Sequence, residues 1–493
     1  MTRVLAYDLG GSSLRVAVVS AGNEILQMVR TPMRIPKGHD GSYEVDPNEW
    51  WDAFVEGCQS LAGQGADLAS VEAIAGCGFT RTQVPVGRNG DAVHPAITFQ
   101  DFRGTRALAD YLSEASDDLG QRYDGLSPFH PVARLLWLRT RTPDVWNLVE
   151  KILEPKDYIN FRLTGEIASD RISQNAARSF FEAIAKDTKS QQALGFDDTV
   201  LPTAGSPFDE IGCVRRDIPG LSALAGKPVI CGSTDTWGSV LGSGAMVAET
   251  AYCISGTSDV SGILATECSL CEGLLTLRWA PGLWQIGGPS QGAATRLNWA
   301  VEKLAPGRSI IDVVAESVPK TGPTPIFLPY LEGERTPYWD KSLRGAFIGL
   351  DESQGTSDLV RAVCEGINFL SRVVLERAEA AAGSPARHIC FAGGLSNNPL
   401  LCQLKADVAD RPVFVAKHNE SGLVGAACLA GNSADRLAAI SSRLMEGGTW
   451  YRPSAASRAE IDNRFEAFKQ STDALRPVMR GLQERAMQQG NIK

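Results

Sequence analysis

Two copies of one short pattern lie about half a chain apart in this sequence. In each copy, an apolar strand-like segment ends in a turn of small residues, and a second strand-like segment follows. The first turn is flanked by Arg3 to Tyr7 and Leu14 to Val19, the second by Thr250 to Ser255 and Val260 to Leu264. Such turns can aim backbone N–H groups at an anion. The repeat predicts two similarly built domains, 1–243 and 244–493, each with a phosphate-binding hairpin.

The size and charge of the chain agree with this division. A chain of 493 residues exceeds one ordinary hydrophobic core. Its 48 basic and 57 acidic residues give a net charge of −9 without long blocks of either sign, which argues against a nucleic-acid partner or an anionic membrane surface. No apolar run of about eighteen residues and no basic leader followed by an apolar stretch occurs. We therefore expect a cytoplasmic protein without a membrane span.

Cysteine and histidine spacing predicts no metal or redox site. The 11 cysteines are scattered through apolar segments, so we expect reduced and buried thiols. Cys268 and Cys271 form a CxxC pair, but neither a second pair nor a suitably spaced histidine accompanies it. The 5 histidines are dispersed. A P-loop is also missing, so any phosphate must be held by another device.

A carboxylate follows the strand-like segment Pro228 to Cys231 after three small residues. Asp235 at this position is rigidly placed and open to a ligand, which suits a general base. It is equally suited to be the N-terminal cap of a helix that starts near Thr236. The local sequence leaves both interpretations open. We interpret the following glycines, from Gly238 to Gly244, as a glycine-rich connection.

Polar residues also follow the end of the strand-like segment Val71 to Ala75. Because ligands gather at the carboxyl ends of strands in open α/β sheets, Arg81 and Thr82 are candidates for hydrogen-bonding a polyhydroxylated substrate. The alternative is that Arg81 is an ordinary surface residue. Asp101 and Arg103 form either a structural ion pair or another wall of the same pocket, and the sequence does not distinguish these.

Several further elements are predicted in the first half. Asp46 and Pro47 are typical of a helix cap and the first helical residue. The segment 126–178 is predicted to be mainly helical. Phe129 lies in a loop before the first of these helices, where its ring could lie under a sugar face or belong to the core.

In the second half we predict a helix over Ser290 to Trp299, an irregular segment over Phe327 to Leu350, and a helix over Ser357 to Ala382 that ends at Gly383. A strand at His388 to Ala392 then leads into a glycine pair. Such a pair lets a flat, bulky ligand lie against the backbone, and a nearby asparagine can bond an adenine or ribose edge.

These motifs together resemble the FGGY carbohydrate kinases, which share the duplicated ribonuclease-H-like fold of actin and hexokinase. Eight segments match in family order and span nearly the whole chain: DLGGSSLR, EVDPNEWW, QDFRG, EPKDYINFRLTGE, CGSTDTWGSVLGSGA, SGTSD, LPYLEGERTPYWD with the following LRGAFIGL, and FAGGLSNNPLLCQLKADV. The resemblance implies an α/β fold with two ribonuclease-H-like domains of the actin and hexokinase superfamily and a cleft between them. The N-terminal domain would bind sugar and hold the first phosphate loop, and the C-terminal domain would bind ATP.

The resemblance also implies site residues by position. Asp235 looks like the catalytic base, and Asp8 like the carboxylate that holds Mg²⁺. The residues implied at the acceptor site are Arg81, Thr82, Asp101, Phe129, Asp235 and Thr236. The residues implied at the nucleotide are Gly10, Gly11, Ser12, Ser13 and Arg15 in a first phosphate turn, Gly256, Thr257 and Ser258 in a second, and Asn298, Gly393, Gly394 and Asn397 around the nucleoside.

The implied reaction is the ATP- and Mg²⁺-dependent phosphorylation of a terminal hydroxyl of a sugar or polyol, with a ketopentose such as xylulose as the first candidate. Xylulokinases usually carry Gln-Met-His where this chain has Thr80, Arg81 and Thr82. Arg81 is similar to the arginine of glycerol kinases, which makes glycerol, erythritol or another short polyol the alternative. A catalytically inactive sugar- or nucleotide-binding protein is the rival from another class. The family also implies a homodimer.

Overall fold

The computed structural model describes residues 3–123, 125–256, 258–318 and 324–488 of the chain. It divides into two compact units: Met1–Gly242 with Gly422–Arg436, and Ser243–Ser421 with Leu437–Lys493. The break between Gly242 and Ser243 lies one residue from the predicted domain boundary. The segment Gly422–Arg436 differs from the expectation, because it belongs with the first unit although it lies within the predicted second domain.

The first unit is built around a six-stranded sheet with helices packed against it. The strands of the unit are β1 (Arg3–Leu9), β2 (Ser13–Ser20), β3 (Ile25–Pro32), β4 (Glu44–Val45), β5 (Ala73–Gly78), β6 (Val84–Val86), β7 (Ala96–Ile97), β8 (Lys151–Leu153), β9 (Ala168–Asp170), β10 (Thr203–Gly205), β11 (Glu210–Cys213) and β12 (Pro228–Thr234). The six-stranded sheet has the order β11, β12, β5, β1, β2, β3, and the other strands form two-stranded pairs. Its helices are α1 (Pro47–Gly63), α2 (Thr105–Glu114), α3 (Leu119–Arg122), α4 (Pro131–Arg141), α5 (Pro143–Trp146), α6 (Pro155–Thr164), α7 (Asn175–Ile184), α8 (Thr188–Leu194) and α9 (Asp235–Gly242).

The second unit is built around a seven-stranded sheet. The strands of the unit are β13 (Thr250–Ser255), β14 (Asp259–Ala265), β15 (Leu275–Ala280), β16 (Leu283–Pro289), β17 (Ile326–Leu328), β18 (Ala346–Ile348), β19 (His388–Gly393), β20 (Val413–Val415) and β21 (Thr449–Tyr451). Strands β17 and β18 form a separate pair, and the other seven form the sheet. The remaining helices of the chain are α10 (Ala294–Leu304), α11 (Ile310–Ser317), α12 (Thr356–Ala382), α13 (Pro399–Ala409), α14 (Ser421–Ala427), α15 (Leu437–Leu444) and α16 (Arg458–Gln488). From Gly422 onward, α14 belongs to the first unit.

The two sheets repeat one topology. In the first, β1, β2 and β3 are consecutive antiparallel neighbours, and β5 and β12 continue the sheet beyond β1 as parallel strands. In the second, β13, β14 and β16 are antiparallel neighbours, and β19 and β20 continue beyond β13 in parallel. The prediction of two similarly built α/β domains from the repeated hairpin is confirmed.

Helix α1 shows how the sequence fixes one face of the first sheet. The Asp46 side chain accepts a hydrogen bond from the Asn48 backbone N–H at 2.9 Å, and Pro47 is the first helical residue, as predicted. Trp50 and Phe54 are buried on the inner face, and the Phe54 ring meets Tyr7 of β1 edge to face at 5.4 Å between centroids. Burying side chains of this size contributes roughly 1.5–3 kcal/mol each.

Some predicted elements differ from the structure. The helix predicted from Ser290 begins only at Ala294, because Ser290 is paired with Asp259: its backbone N–H donates to the Asp259 carbonyl at 2.8 Å, and its hydroxyl accepts from the Asp259 N–H. Strands β8 and β9 interrupt the segment 126–178 that was predicted to be mainly helical, and β17 and β18 lie at the ends of the predicted irregular segment. Helix α12 does end at Gly383, which adopts φ +71°.

All 11 cysteines are free thiols, as expected. The expectation of burial is wrong for three of them, since Cys213 and Cys268 are exposed and Cys271 is partly exposed. Within the described ranges, no helix is long and apolar enough to cross a lipid bilayer.

Candidate active site

Two aspartates stand at one edge of the first unit's sheet. Asp8 pairs with Cys77 in the register between β1 and β5, and Cys77 pairs with Ser233 in the register between β5 and β12. Asp235 comes two residues after Ser233, immediately past the end of β12. Because these three strands are parallel, their carboxyl ends meet at one edge, which is where open α/β sheets bind ligands. Asp8 and Asp235 therefore flank the end of β5.

The Asp235 carboxylate lies in the first turn of α9 and does not cap that helix. The Thr234 hydroxyl accepts the hydrogen bond from the Trp237 backbone N–H at 3.2 Å and thereby takes the capping role. Asp235 Oδ1 accepts from the Thr236 backbone N–H at 2.6 Å. Burial and, after it, the negative charge of Asp8 raise the pKa of Asp235 to about 6. A carboxylate with such a pKa suits a general base that works near neutral pH.

Asp8 is held by the arginine opposite it. Asp8 and Arg15 are partners in the register between β1 and β2, and Arg15 Nη2 lies 2.5 Å from Asp8 Oδ2. In the turn that joins these strands, the Gly10 backbone N–H donates to the Ser13 carbonyl at 3.0 Å. The exposed tip of the turn consists of Gly11 and Ser12. The turn therefore presents backbone groups beside a fixed carboxylate and arginine pair.

The chemistry of this edge fits a magnesium ion. Among the described residues, no group of three or more His, Cys, Asp or Glu side chains is arranged to hold a metal. Mg²⁺ needs fewer protein ligands, since it is usually bound through one or two carboxylates and the phosphates of its substrate. After burial, the negative charge of Asp8 is the next largest cause of the raised pKa of Asp235. A divalent cation beside the pair would offset this repulsion.

Helix α14 packs against this edge through glycines. A Cβ atom on Gly422 would overlap the Asp8 carboxylate, and one on Gly425 would overlap the Gly238 carbonyl in α9. The Cys77 thiol donates to the Gly422 carbonyl at 3.6 Å. The prediction that Gly238 lies in a connection is wrong, since it lies inside α9. The glycine spacing in SGLVGAA was the sequence signal for this close helix contact.

A buried ion cluster holds β12 in place just before Asp235, and no sequence motif predicted it. The Ser233 hydroxyl donates to Asp170 Oδ1 at 2.9 Å, and Lys156 Nζ lies 3.0 Å from Asp170 Oδ2. Lys156 also forms an ion pair with Asp157. All of these side chains are buried, so the end of β12 is held by charged hydrogen bonds from α6 and β9.

Arg81 and Thr82 lie between β5 and β6, past the end of the same sheet. Arg81 is partly exposed, whereas Thr82 is fully buried, and its hydroxyl accepts a hydrogen bond from the Phe99 backbone N–H at 3.3 Å. Phe129 is partly buried and meets the Phe102 ring edge to face at 4.7 Å between centroids. Their roles toward an acceptor stay predictions.

Asp101 forms the structural ion pair that was one of its two interpretations. Arg103 Nε lies 3.1 Å from Asp101 Oδ1 and 3.0 Å from Oδ2, and the Tyr43 backbone N–H donates to Oδ2 at 3.0 Å. Only 1% of Asp101 is exposed. Both carboxylate oxygens of Asp101 therefore accept hydrogen bonds from other residues of the chain. Its other interpretation, as a wall of the acceptor pocket, stays a prediction.

The second unit carries the other predicted turn, between β13 and β14. The Gly256 backbone N–H donates to the Ser258 carbonyl at 3.0 Å, and the Gly256 carbonyl accepts from the Ala294 backbone N–H at 3.4 Å. Thr257 lies outside the described residues. At the base of the turn, Ser255 donates to the buried Asp259 carboxylate. Asp259 was not predicted, although it matches the aspartate of the SGTSD motif.

The glycine pair after β19 lies beside this turn. Gly393 is the parallel partner of Ser255, adopts φ +93°, and leaves no room for a Cβ next to the Ser255 carbonyl. Gly394 and Asn397 are exposed in the short helical turn that follows. Asn298 is exposed on α10, whose first residue bonds the turn. The second unit thus brings the predicted nucleotide residues onto neighbouring elements.

Comparison with known families identifies the class of protein. The N-terminal domain of the FGGY family of carbohydrate kinases matches residues 3–242, and the C-terminal domain of the same family matches residues 251–434. The chain therefore belongs to the FGGY family and is a carbohydrate kinase.

Named relatives point the same way. The chain is 29% identical over 425 residues to a xylulose kinase of Lactococcus lactis, covering 83% of each protein. It is 26% identical to a xylulose kinase of Escherichia coli, covering 96% of this chain and 99% of that one. A xylulose kinase structure from Rhodospirillum rubrum matches with a TM-score of 0.83 at 21% identity, covering 97% of this chain and 99% of that chain, which shows the shared fold.

Proposed function

We propose that this kinase transfers the γ-phosphoryl group of ATP to a terminal hydroxyl of a ketopentose such as xylulose. The observation that carries the proposal is the pair Asp8 and Asp235 at the ends of two strands that flank β5. One carboxylate of the pair has a pKa of about 6, so it is ionised at neutral pH yet basic enough to take up a proton.

Asp235 acts as the general base in this proposal. The acceptor hydroxyl donates a hydrogen bond to the Asp235 carboxylate, and its oxygen attacks the γ-phosphorus as the bond to the β-phosphate oxygen breaks. The proton passes to Asp235 late in this step, because a free alcohol is far too weak an acid to ionise first. Phosphoryl transfer has a loose transition state, so positioning and neutralisation of charge carry most of the catalysis.

The charge on the transferred group is neutralised by Arg15 and by the backbone N–H groups of Gly11 and Ser12 in the first turn, and Asp8 would hold Mg²⁺. When bound, the metal supplies positive charge to the phosphate oxygens. In the second unit, the turn after Ser255 binds phosphate, and Gly393, Gly394, Asn397 and Asn298 hold the nucleoside.

The choice of acceptor has a second candidate. The xylulose kinases among the relatives favour a ketopentose, whereas Arg81 favours glycerol, erythritol or another short polyol. A cytoplasmic location and a homodimer complete the proposal, both on the pattern of the family.

A coupled assay of ADP release tests the proposal. Xylulose, ribulose, glycerol and erythritol are each supplied with ATP and Mg²⁺, and we expect the highest kcat/KM with a ketopentose. A preference for glycerol or erythritol would move the assignment to the short-polyol alternative. No ADP release with any acceptor, from folded protein that still binds ATP, would favour the inactive sugar-binding protein instead.

A further inference from the structure

Arg81 has a strained backbone that its surroundings hold in place. Its φ is +57°, in the left-handed region that residues other than glycine rarely adopt. Such conformations persist only where neighbouring groups fix them, and they are concentrated at functional sites. The groups that fix Arg81 come from Arg134 in α4 and from Glu154, the residue between β8 and α6, and neither is a predicted acceptor residue.

Glu154 holds the segment from one side. Its Oε1 accepts a hydrogen bond from the Arg81 backbone N–H at 3.2 Å, and its Oε2 accepts one from the Thr82 N–H at 3.3 Å. The pairing of β6 with β8 explains this contact, since Val84 lies opposite Leu153. Glu154, the residue after β8, is thereby placed beside the residues that precede β6.

Arg134 holds the same segment from the other side. This buried arginine donates from Nη2 to the Arg81 carbonyl at 2.7 Å and from Nε to Gln83 Oε1 at 2.5 Å. Both backbone polar groups of Arg81 therefore have a side-chain partner, the Glu154 carboxyl group for the N–H and the Arg134 guanidinium for the carbonyl. A hydrogen bond from a charged group such as the Arg134 guanidinium is worth roughly 1.5–3 kcal/mol, which is comparable to the strain of a left-handed residue.

The backbone of Arg81 is held by hydrogen bonds, whereas its side chain is not. Its guanidinium forms no hydrogen bond or ion pair with any residue in the described part of the chain, although Arg81 is only partly exposed. Burial lowers the pKa of Arg81. Desolvating a charge that has no hydrogen-bonding partner costs free energy, so a ligand oxygen would gain by binding there.

We propose that Glu154 and Arg134 are positioning residues that set the affinity for the acceptor by holding Arg81 in its left-handed conformation. They act on the acceptor through Arg81. The inference rests on the proposed function, because it takes Arg81 to bind the acceptor. It adds two residues that act on acceptor affinity and that the sequence did not single out.

Glu154→Gln is the first test. Glutamine keeps the shape, and its amide oxygen can accept one hydrogen bond, but its amide nitrogen cannot accept one from the second N–H. We expect the KM for the best acceptor to rise about ten- to a hundredfold, with kcat and the KM for ATP within about twofold of wild type. The matched control is Glu166→Gln at the other end of α6, where the side chain is exposed, and it should leave all three constants unchanged.

A double-mutant cycle separates positioning from general destabilisation. If Glu154 acts through Arg81, Glu154→Gln raises the acceptor KM in the wild-type background and raises it no further in an Arg81→Ala background. Equal rises in both backgrounds, or a loss of kcat with unchanged acceptor KM, would overturn the inference. Should Glu154→Gln fail to fold, Arg134→Lys takes its place in the same cycle, because lysine cannot bridge the Arg81 carbonyl and Gln83.

Failure of the proposed function and failure of this inference give different results. Wild-type protein that releases no ADP with any acceptor overturns the proposed function and this inference together. Wild-type protein that is active while the cycle shows no coupling between Glu154 and Arg81 overturns this inference alone.

Discussion

At the scale of single residues, Asp235 affects both catalysis and the stability of the fold. Asp235→Asn removes the proton acceptor while it keeps the shape, so we expect kcat to fall about a hundred- to ten-thousandfold. Binding of ATP, measured by titration calorimetry, should remain within about threefold of wild type. Asp217→Asn, an exposed aspartate of the same unit with 77% side-chain exposure, is the control and should keep full turnover. Near-normal kcat in Asp235→Asn would contradict the role of general base.

The same substitution should stabilise the protein in a pH-dependent way. The pKa of Asp235 is about 6 in the folded chain against an ordinary value near 3.8, so the folded state binds this proton more tightly than the unfolded state. The raised pKa makes wild type lose stability as the pH rises from about 4 to about 6, and the deficit remains at higher pH. Asp235→Asn should therefore unfold at a higher temperature than wild type at pH 8, with a much smaller difference at pH 4. Equal shifts at both pH values would contradict this reasoning.

At the scale of elements, the contact between α9 and α14 depends on glycine. A Cβ at residue 425 would overlap the Gly238 carbonyl, which cannot move without disturbing α9. We expect Gly425→Ala to lower the free energy of unfolding by about 1–3 kcal/mol, the usual cost of overpacking, as measured by urea denaturation. Gly63→Ala, at the end of α1 with nothing within 4 Å of the added Cβ, is the control and should be neutral or slightly stabilising. Similar losses for both substitutions would contradict the packing argument.

The elements also show what the sequence can and cannot predict. Local signals placed the Asp46 cap of α1, the end of α12 at Gly383 and both hairpins, because each depends on neighbours in the chain. Asp8 and Asp235 were predicted from motifs. Glu154, Arg134 and Asp170 were missed, because their partners come from elements tens of residues away and no local pattern records those contacts.

At the scale of the whole molecule, the chain returns to its first unit. The segment Gly422–Arg436 lies between the two parts of the second unit in sequence, yet it packs with α9 and the end of β5. Leu423, Val424 and Leu429 of this segment are each at most 1% exposed. A domain boundary drawn from the repeated hairpin alone could not assign this segment to the first unit. The sequence signal for the assignment is the glycines that let α14 approach α9, and these lie far apart in the chain.

This return predicts how a fragment of the chain behaves. Residues 1–242 alone lack the segment that covers α9, so we expect them to melt at a lower temperature than the same residues joined by a flexible linker to residues 422–436. Burial of three large apolar side chains at roughly 1.5–3 kcal/mol each predicts a gain of about 10 °C or more, which circular dichroism melting can measure. The control carries Gly425→Ala in the appended segment and should lose part of the gain, because the added methyl group would overlap the Gly238 carbonyl of α9. Equal melting temperatures for all three proteins would show that the segment does not stabilise the first unit.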